Sequence, residues 1–226
     1  MNDKKLSVTL LILTLNEISG LKAIMPQINR DWIDEIIIVD GGSKDGTIEY
    51  AKANGYPLYI QPTPGLGAAY REGLKYSKGD IIITFSPDGN SDPQRIPDLI
   101  GKMREGHDIV IVSRYCEWAK SEDDDFLTGL GNWGFTKLFN TLFGTSLTDV
   151  LVMYRAFKKS IVEELGVNTK SIPWQTQLLA KSAKRKLKIC EIPGNEPPRI
   201  GGFRKMNPFR NGMAELNMMF GEFFKK

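Results

Sequence analysis

The chain has 226 residues, 30 of them basic and 27 acidic, so its formal net charge is only +3. That length allows a substantial core within one α/β domain, and so small a basic excess argues against nucleic acid as a partner. Cys116 and Cys190 lack metal-ligand spacing and His107 is the sole histidine, which leaves little for zinc hydrolysis or a histidine triad; both cysteines are expected to be reduced and near the core.

Val8 to Leu13 is an almost unbroken apolar run, as in a central parallel strand covered on both faces. With Leu15 it is too short for a membrane span or a secretion signal, so a cytoplasmic protein is expected. Apolar residues at helical spacing predict a helix over 20–30, for which Asn16 or Ser19 is a candidate cap. Glu35 to Asp40 is a second strand, running into Gly41-Gly42-Ser43-Lys44-Asp45-Gly46-Thr47. Paired glycines let a backbone approach a ligand, and an acid at a strand end can bind a base or ribose. The spacing is neither the dinucleotide fingerprint nor a P-loop. Leu58 to Ile60 is a third strand, and Pro64-Gly65-Leu66-Gly67 opens a helix whose N-terminal amides could face an anion.

Ile81 to Phe85 is a fourth, buried strand. It ends in Ser86-Pro87-Asp88-Gly89-Asn90-Ser91-Asp92-Pro93, a turn too rich in Pro, Gly, Asn and Asp to continue either a strand or a helix. A carboxylate there lies in the crevice where open α/β sheets bind ligands; turn chemistry explains the same letters. A helix over 93–106 and a fifth strand over 108–112 follow, delivering Ser113-Arg114-Tyr115 to the same edge, so Asp40, Asp88 and Arg114 are expected to meet in one cleft. The acidic run Ser121 to Asp125 suits a solvated loop or a second metal site. Phe126 to Phe143 carries an aromatic stripe suited to core or to an acceptor wall. Thr148 to Phe157 is predicted to be extended, with Asp149 at its start and Arg155 near its end. A helix over 173–186, with Lys181, Lys184, Arg185 and Lys186 as its wet face, and a strand over 188–192 complete the regular part. From Pro193 to Pro208 the chain turns rich in Pro, Gly and Arg, as in a loop that folds over an anionic ligand. A helical pattern then runs from Phe209 to Phe224, suited to packing on the domain or on a second copy, or to lying at a membrane surface.

In order along the chain, Asn16-Glu17, Asp40 to Thr47, the turn at Asp88, Ser113-Arg114-Tyr115, Asp149 with Arg155-Ala156-Phe157, Glu191-Ile192-Pro193 and Arg199 with Lys205 resemble the family-2 inverting glycosyltransferases. Within them they resemble the dolichyl-phosphate mannose synthase-like, polyprenyl-phosphate sugar transferases. The resemblance implies a GT-A fold: one α/β domain with a Rossmann-like, mostly parallel sheet flanked by helices on both faces. Residues 1–192 would form the transferase framework, and 193–226 a basic loop and amphipathic segment of the same domain.

The resemblance also implies that Glu17 and Asp40 hold the nucleotide's base and ribose. Around them the nucleotide-sugar site takes in Leu15, Asn16, Gly41, Gly42, Ser43, Gly67 and Arg71. Pro87, Asp88, Arg199 and Lys205 lie toward its phosphates. The family's Asp-x-Asp has Ser86 in place of its first acid, which leaves Asp88 and Asn90 for Mg2+ or Mn2+. Magnesium often uses only one or two protein carboxylates beside phosphate oxygens, so weakened metal binding is expected. Arg114 is a candidate phosphate contact and Asp149 a candidate base. The implied partners are a nucleotide sugar and a lipid-phosphate or saccharide acceptor, with peripheral membrane contact and oligomer formation left open. Leu151-Val152-Met153-Tyr154 replaces the family's small residues before the arginine, altering the acceptor side. Two further readings stay open: a nucleotide-sugar-binding protein without turnover, motivated by Ser86, and a nucleotidyltransferase, which the Arg114, Asp149 and Arg199 series suits poorly.

Overall fold

The computed structural model describes residues 6–201 and 208–225. Seven strands form one sheet in the order β3-β2-β1-β4-β6-β5-β7. They are β1 (Val8–Thr14), β2 (Glu35–Asp40), β3 (Leu58–Ile60), β4 (Ile81–Phe85), β5 (Ile109–Ser113), β6 (Arg155–Lys158) and β7 (Ile189–Pro193). Every pairing is parallel except those of β6, which runs antiparallel between β4 and β5. The sheet is therefore mostly parallel, and the exits of β1, β2, β4 and β5 share one edge.

Strand alternation divides the core in two. Leu10, Ile12, Ile38, Ile81, Ile83 and Phe85 face α1 (Ile18–Ile24) and α4 (Ile96–Arg104), with Leu21, Ile96, Leu99 and Met103 filling that layer. Leu11, Ile37, Val39 and Ile82 face the other layer. It is built by α3 (Leu66–Tyr76), α5 (Phe126–Phe143), α6 (Lys159–Glu164), α7 (Trp174–Lys184) and α8 (Pro208–Phe224), through Tyr70, Phe139, Trp174, Leu178 and Met219. A short helix, α2 (Thr47–Ala53), follows β2. Because both faces are covered, the strands are apolar on both sides, as their unbroken runs require.

Three expectations change. The first helix stops at Ile24 and passes into a single 3-10 turn at Met25–Gln27, because Pro26 has no N–H to continue the α-helical ladder. The extended segment expected over 148–157 is a strand only from Arg155 onward. Before it the chain is irregular, held by the Arg155 guanidinium on the carbonyls of Val150 and Val152 and by Val152 N–H on Asp149 (3.2 Å). Arg155 is fully buried, so it organises the interior rather than meeting a ligand. The third change concerns Lys181 alone of the expected wet face of α7: Lys184, Arg185 and Lys186 are exposed, whereas Lys181 is half-buried and its Nζ donates to Leu165 O (2.8 Å) at the end of α6; Lys184 Nζ donates to Glu222 O (2.7 Å) of α8. Both cysteines are half-buried thiols.

The last helix packs on the domain, with Met219, Glu215 and Glu222 buried. Gln177 donates to Glu222 (2.9 Å). Burial pushes the Glu215 carboxyl up to about 7, against the lowering effect of Thr176 and Arg155. A carboxyl raised on folding favours the native state while protonated, and that contribution fades as pH climbs from the ordinary value of 4.5 toward 7. Thermal melts of wild type and Glu215→Gln across pH 4.5–8 should show the wild type losing stability relative to the variant over that interval; parallel curves would contradict it.

Candidate active site

The loops leaving β1 and β2 are stitched together. Asp40, fully buried, accepts Gly42 N–H (2.8 Å) and Ser43 N–H (2.7 Å) on Oδ1, and the Ser43 (2.6 Å) and Thr14 (2.7 Å) hydroxyls on Oδ2. Asn16 takes a left-handed φ of 54°. Its N–H donates to Ser43 Oγ (2.7 Å), and its Oδ1 accepts Lys44 N–H (2.8 Å). Neither Asn16 nor Ser19 caps α1, because Glu17 holds the cap position without a side-chain cap bond. The orphan N–H groups there go across to the other loop instead: Glu17 N–H to Thr47 Oγ1 (2.9 Å) and Ile18 N–H to Asp45 (3.1 Å). Burial works to raise the Asp45 carboxyl, but the bonds from Thr47 and Ile18 outweigh it and hold the group below its ordinary value. The segment Asp40 to Thr47 is thus a hydrogen-bonded frame. Asp40 has both oxygens engaged within it, and Gly41 and Glu17 line the adjoining cavity.

Beside this frame lies the exit of β4. Gly20 of α1 sits against Pro87 O and Asp88 Cα, where a Cβ would overlap both, so the turn packs directly on the helix. Asp88 is nearly buried; its Oδ1 accepts Asn90 N–H (3.1 Å) and its carbonyl accepts Ile200 N–H (2.6 Å). Gly89, at φ 96°, leaves room for Ile200. Asn90 Nδ2 donates to Pro197 O (2.9 Å). The segment after β7 is therefore strapped across the turn, and Arg199 Nη1 reaches Asp88 Oδ2 at 2.8 Å and Glu17 Oε1 at 3.9 Å.

Two cavities meet at this ion pair. The first, about 290 Å³, is lined by Leu13, Thr14, Leu15, Glu17 and Gly41 from the frame, Gln61, and Gly65, Leu66, Ala69 and Tyr70 at the start of α3. Phe85, Ser86, Asp88, Met153, Ile172 and Arg199 complete it. The second, about 110 Å³, shares Ser86, Asp88, Met153 and Arg199, and adds Asn90, Arg114, Asp123, Asn195 and Glu196. Asp88 and Arg114 thus border one space, whereas Asp40 lines neither. Ser86, Asp88 and Asn90 border the second cavity and carry hydroxyl, carboxylate and amide oxygens, the donor types that hard divalent cations use.

Arg114 is almost buried and faces three acids: Asp149 (Nε–Oδ2 2.6 Å, Nη2–Oδ1 3.0 Å), Asp124 (3.3 Å) and Glu196 (3.2 Å). Burial alone would lower the Arg114 pKa, but Asp149 and Glu196 drive it well above its ordinary value. Tyr115 donates to Asp124, Ser121 donates to Glu196, and Asn132 Nδ2 donates to Tyr115 Oη (2.9 Å) and Asp124 (2.9 Å). Burial raises the Glu196 carboxyl, opposed by Arg114. Asp149 has no exposed surface and both oxygens on Arg114, whose guanidinium it orients. Each Arg114 guanidinium nitrogen already faces a carboxylate, which leaves Arg199 as the cation lining both cavities. The acidic run is not a loose solvated loop either: Asp124 joins the Arg114 cluster, and Asp125 caps α5 by accepting Thr128 N–H (2.7 Å).

Gly67 packs against the carbonyls of Thr169 and Ser171, and Arg71 is exposed on α3; neither lines these cavities, and nor does Pro87. Gly42 and Ser43 serve the frame. Lys205 lies outside the described residues. Sequence reasoning passed over Gln61, Tyr70, Met153 and Glu196. Only Met153 carried a signal, as one of the bulky residues before Arg155.

The model of "Glycosyl transferase family 2" matches residues 9–166. The chain belongs to glycosyl transferase family 2. Among curated relatives, this glycosyltransferase is 25% identical to "Glycosyltransferase AglJ" of Haloferax volcanii, covering 91% of this chain and 68% of that one. It is 26% identical to "Undecaprenyl-phosphate mannosyltransferase" of Micrococcus luteus (93% and 92%) and to "Dolichyl-phosphate hexose transferase" of Haloferax volcanii (89% and 87%). Its fold matches glucosyl-3-phosphoglycerate synthase from Mycobacterium tuberculosis with a TM-score of 0.78 at 17% identity, covering 98% of this chain and 80% of that one. That structure holds Mn2+, uridine diphosphate and phosphoglyceric acid; another of the same enzyme, TM-score 0.77, 20% identity and covering 96% and 80%, holds Mg2+ and uridine diphosphate. The expected GT-A architecture is thus the one observed.

In this glycosyltransferase the frame makes a direct prediction. Asp40→Ala should lower unfolding stability by on the order of 3 kcal/mol in urea titrations, because buried donors lose their charged acceptor. A variant with unchanged stability and lost nucleotide affinity would instead make Asp40 a ligand contact.

Proposed function

We propose that this glycosyltransferase moves a sugar, with inversion, from a nucleoside-diphosphate sugar to a polyprenyl phosphate, and that the first cavity holds the donor. The observation that carries this is the Asp88–Arg199 pair standing where the two cavities join, since a donor's diphosphate must lie between its nucleoside and the reacting sugar carbon. Gly41 and Glu17 would meet the nucleoside, and Gly65 and Leu66 bring the N-terminus of α3 to the same space. The names of the relatives from Micrococcus luteus and Haloferax volcanii support a lipid-phosphate acceptor over a saccharide.

Asp88 and Asn90 would hold Mg2+ or Mn2+, with the remaining positions filled by diphosphate oxygens and water. When bound, the cation neutralises charge on the leaving diphosphate. The protein's own part is electrostatic and geometric. Arg199, 2.8 Å from Asp88, is within reach of the same diphosphate and stabilises the charge that grows on it as the glycosidic bond breaks. The acceptor phosphate oxygen forms the new bond to the anomeric carbon, and the electron pair of the old bond leaves on the nucleoside diphosphate. A phosphate monoester loses its second proton near pH 6, so no side chain has to act as base, in keeping with an Asp149 committed to Arg114.

A second reading is favoured by Ser86 and by the Arg199 contact to Asp88: a nucleotide-sugar-binding protein whose cation site has closed. One assay separates them. Nucleoside diphosphate release from a panel of uridine- and guanosine-diphosphate sugars, with a short polyprenyl phosphate and Mg2+, should occur in wild type and fall on the order of a hundredfold in Asp88→Ala. Its rate should rise between about pH 5 and 7 and then level off. Nucleotide binding without release on any acceptor would favour the second reading, and equal rates in wild type and Asp88→Ala would remove Asp88 from the reaction.

A further inference from the structure

Among the described residues the two cavities share only Ser86, Asp88, Met153 and Arg199. A sugar nucleotide is built in a line, with the nucleoside at one end, the diphosphate in the middle and the sugar at the other end. With the nucleoside in the first cavity and the diphosphate at the Asp88–Arg199 pair, the sugar is directed past Met153 into the second. That space, about 110 Å³, is well below the roughly 300 Å³ at which small-molecule pockets usually begin. It therefore suits the sugar end of a donor and not a second nucleoside.

Its walls carry Asn90, Ser91, Asp123, Asn195 and Glu196, and the cations among the described lining residues are Arg114 and Arg199. Both cations already face acids. Arg199 lies 2.8 Å from Asp88, while Arg114 meets Asp149, Asp124 and Glu196, one positive charge against three negative ones. Of those three acids only Glu196 lines the cavity. Its backbone is pinned in both directions, with Glu196 N–H on Lys120 O (2.9 Å) and Glu122 N–H on Glu196 O (2.9 Å). The Ser121 hydroxyl donates to its carboxylate, and the neighbouring Asn195 Oδ1 accepts Lys120 N–H (2.9 Å). A carboxylate fixed in this way cannot turn aside from what enters the cavity. The three bonds it receives from Arg114 and Ser121 leave part of a capacity of about four for a sugar hydroxyl.

We infer that Glu196 determines which sugar is transferred: it makes the sugar's end of the donor site acidic, so that a neutral hexose is accepted and a hexuronic acid is excluded. The inference rests on the donor placement of the proposed function. A neutral hexose presents hydroxyl donors to the fixed carboxylate. A hexuronic acid brings a further carboxylate to a partly buried wall whose guanidinium is already outnumbered, and like charges a few ångströms apart repel far more strongly there than in water. The selection is therefore made by an unfavourable contact with the wrong sugar as much as by a favourable one with the right sugar.

Calorimetric titration of the full chain with matched donors and Mg2+ tests this. The pairs are uridine-diphosphate glucose against uridine-diphosphate glucuronic acid, and guanosine-diphosphate mannose against guanosine-diphosphate mannuronic acid. For the nucleotide that binds, wild type should hold the neutral donor on the order of a hundredfold more tightly than its uronic counterpart, and Glu196→Gln should cut that ratio about tenfold, chiefly by improving the uronic acid. A purely structural role for Glu196 would weaken both donors alike and leave the ratio unchanged. Binding of the nucleoside diphosphate without a sugar checks each preparation; should Glu196→Gln lose it, Asp123→Asn, on the same wall, must lower the ratio in its place. Equal binding of the two donors by wild type, or one and the same ratio in wild type and an intact variant, overturns the inference and leaves the proposed function standing. A wild type that binds no sugar nucleotide overturns both.

Discussion

A single carboxylate at the end of β4, paired with one guanidinium across the mouth of two cavities, is the interaction around which this molecule is arranged. Asp88 is held from three directions: α1 packs against its backbone because Gly20 has no side chain, Asn90 N–H donates to Oδ1, and Ile200 N–H closes on its carbonyl. Those contacts fix the orientation of Oδ2, which meets Arg199 at 2.8 Å. The ion pair is partly exposed on the arginine side, so water and ligand phosphates can compete for it. A diphosphate bringing a divalent cation would replace one charge-neutralising partner of Asp88 with another and release Arg199 toward its own oxygens.

The second cavity follows a different electrostatic logic. Arg114 among Asp149, Asp124 and Glu196 leaves an excess of acid, and one removed carboxylate would expose the rest of a mostly buried network. Such a cluster serves as a wall of defined shape. It also anchors α5 through Asn132.

Much of the fold was legible in the sequence, because parallel strands buried on both faces leave unbroken β-branched runs such as Ile36-Ile37-Ile38-Val39 and Ile81-Ile82-Ile83. The stations along the chain were legible too, since strand exits must carry turn-forming residues. Their roles were less so. Asp40 is a strand-end acid whether it faces a ribose or its own loop, and only the coordinates show both oxygens engaged. Asp149 and Arg114 are 35 residues apart in sequence, and no local pattern reveals that each satisfies the other. The antiparallel strand β6 could not be anticipated either, because a four-residue strand has too short a pattern to declare its direction. Glu196, within a Pro-rich stretch, resembles any loop acid until β7 carries it to Arg114.

The central claim is that the donor's diphosphate and its cation come together at Asp88. Anomalous diffraction from crystals grown with Mn2+ and uridine or guanosine diphosphate tests it most directly. The account predicts a manganese peak about 2.1 Å from an Asp88 carboxylate oxygen, with the diphosphate beside Arg199 and the nucleoside in the first cavity. A manganese peak among Asp123, Asp124 and Glu196, or a nucleotide bound away from the exits of β1 and β4, would contradict it.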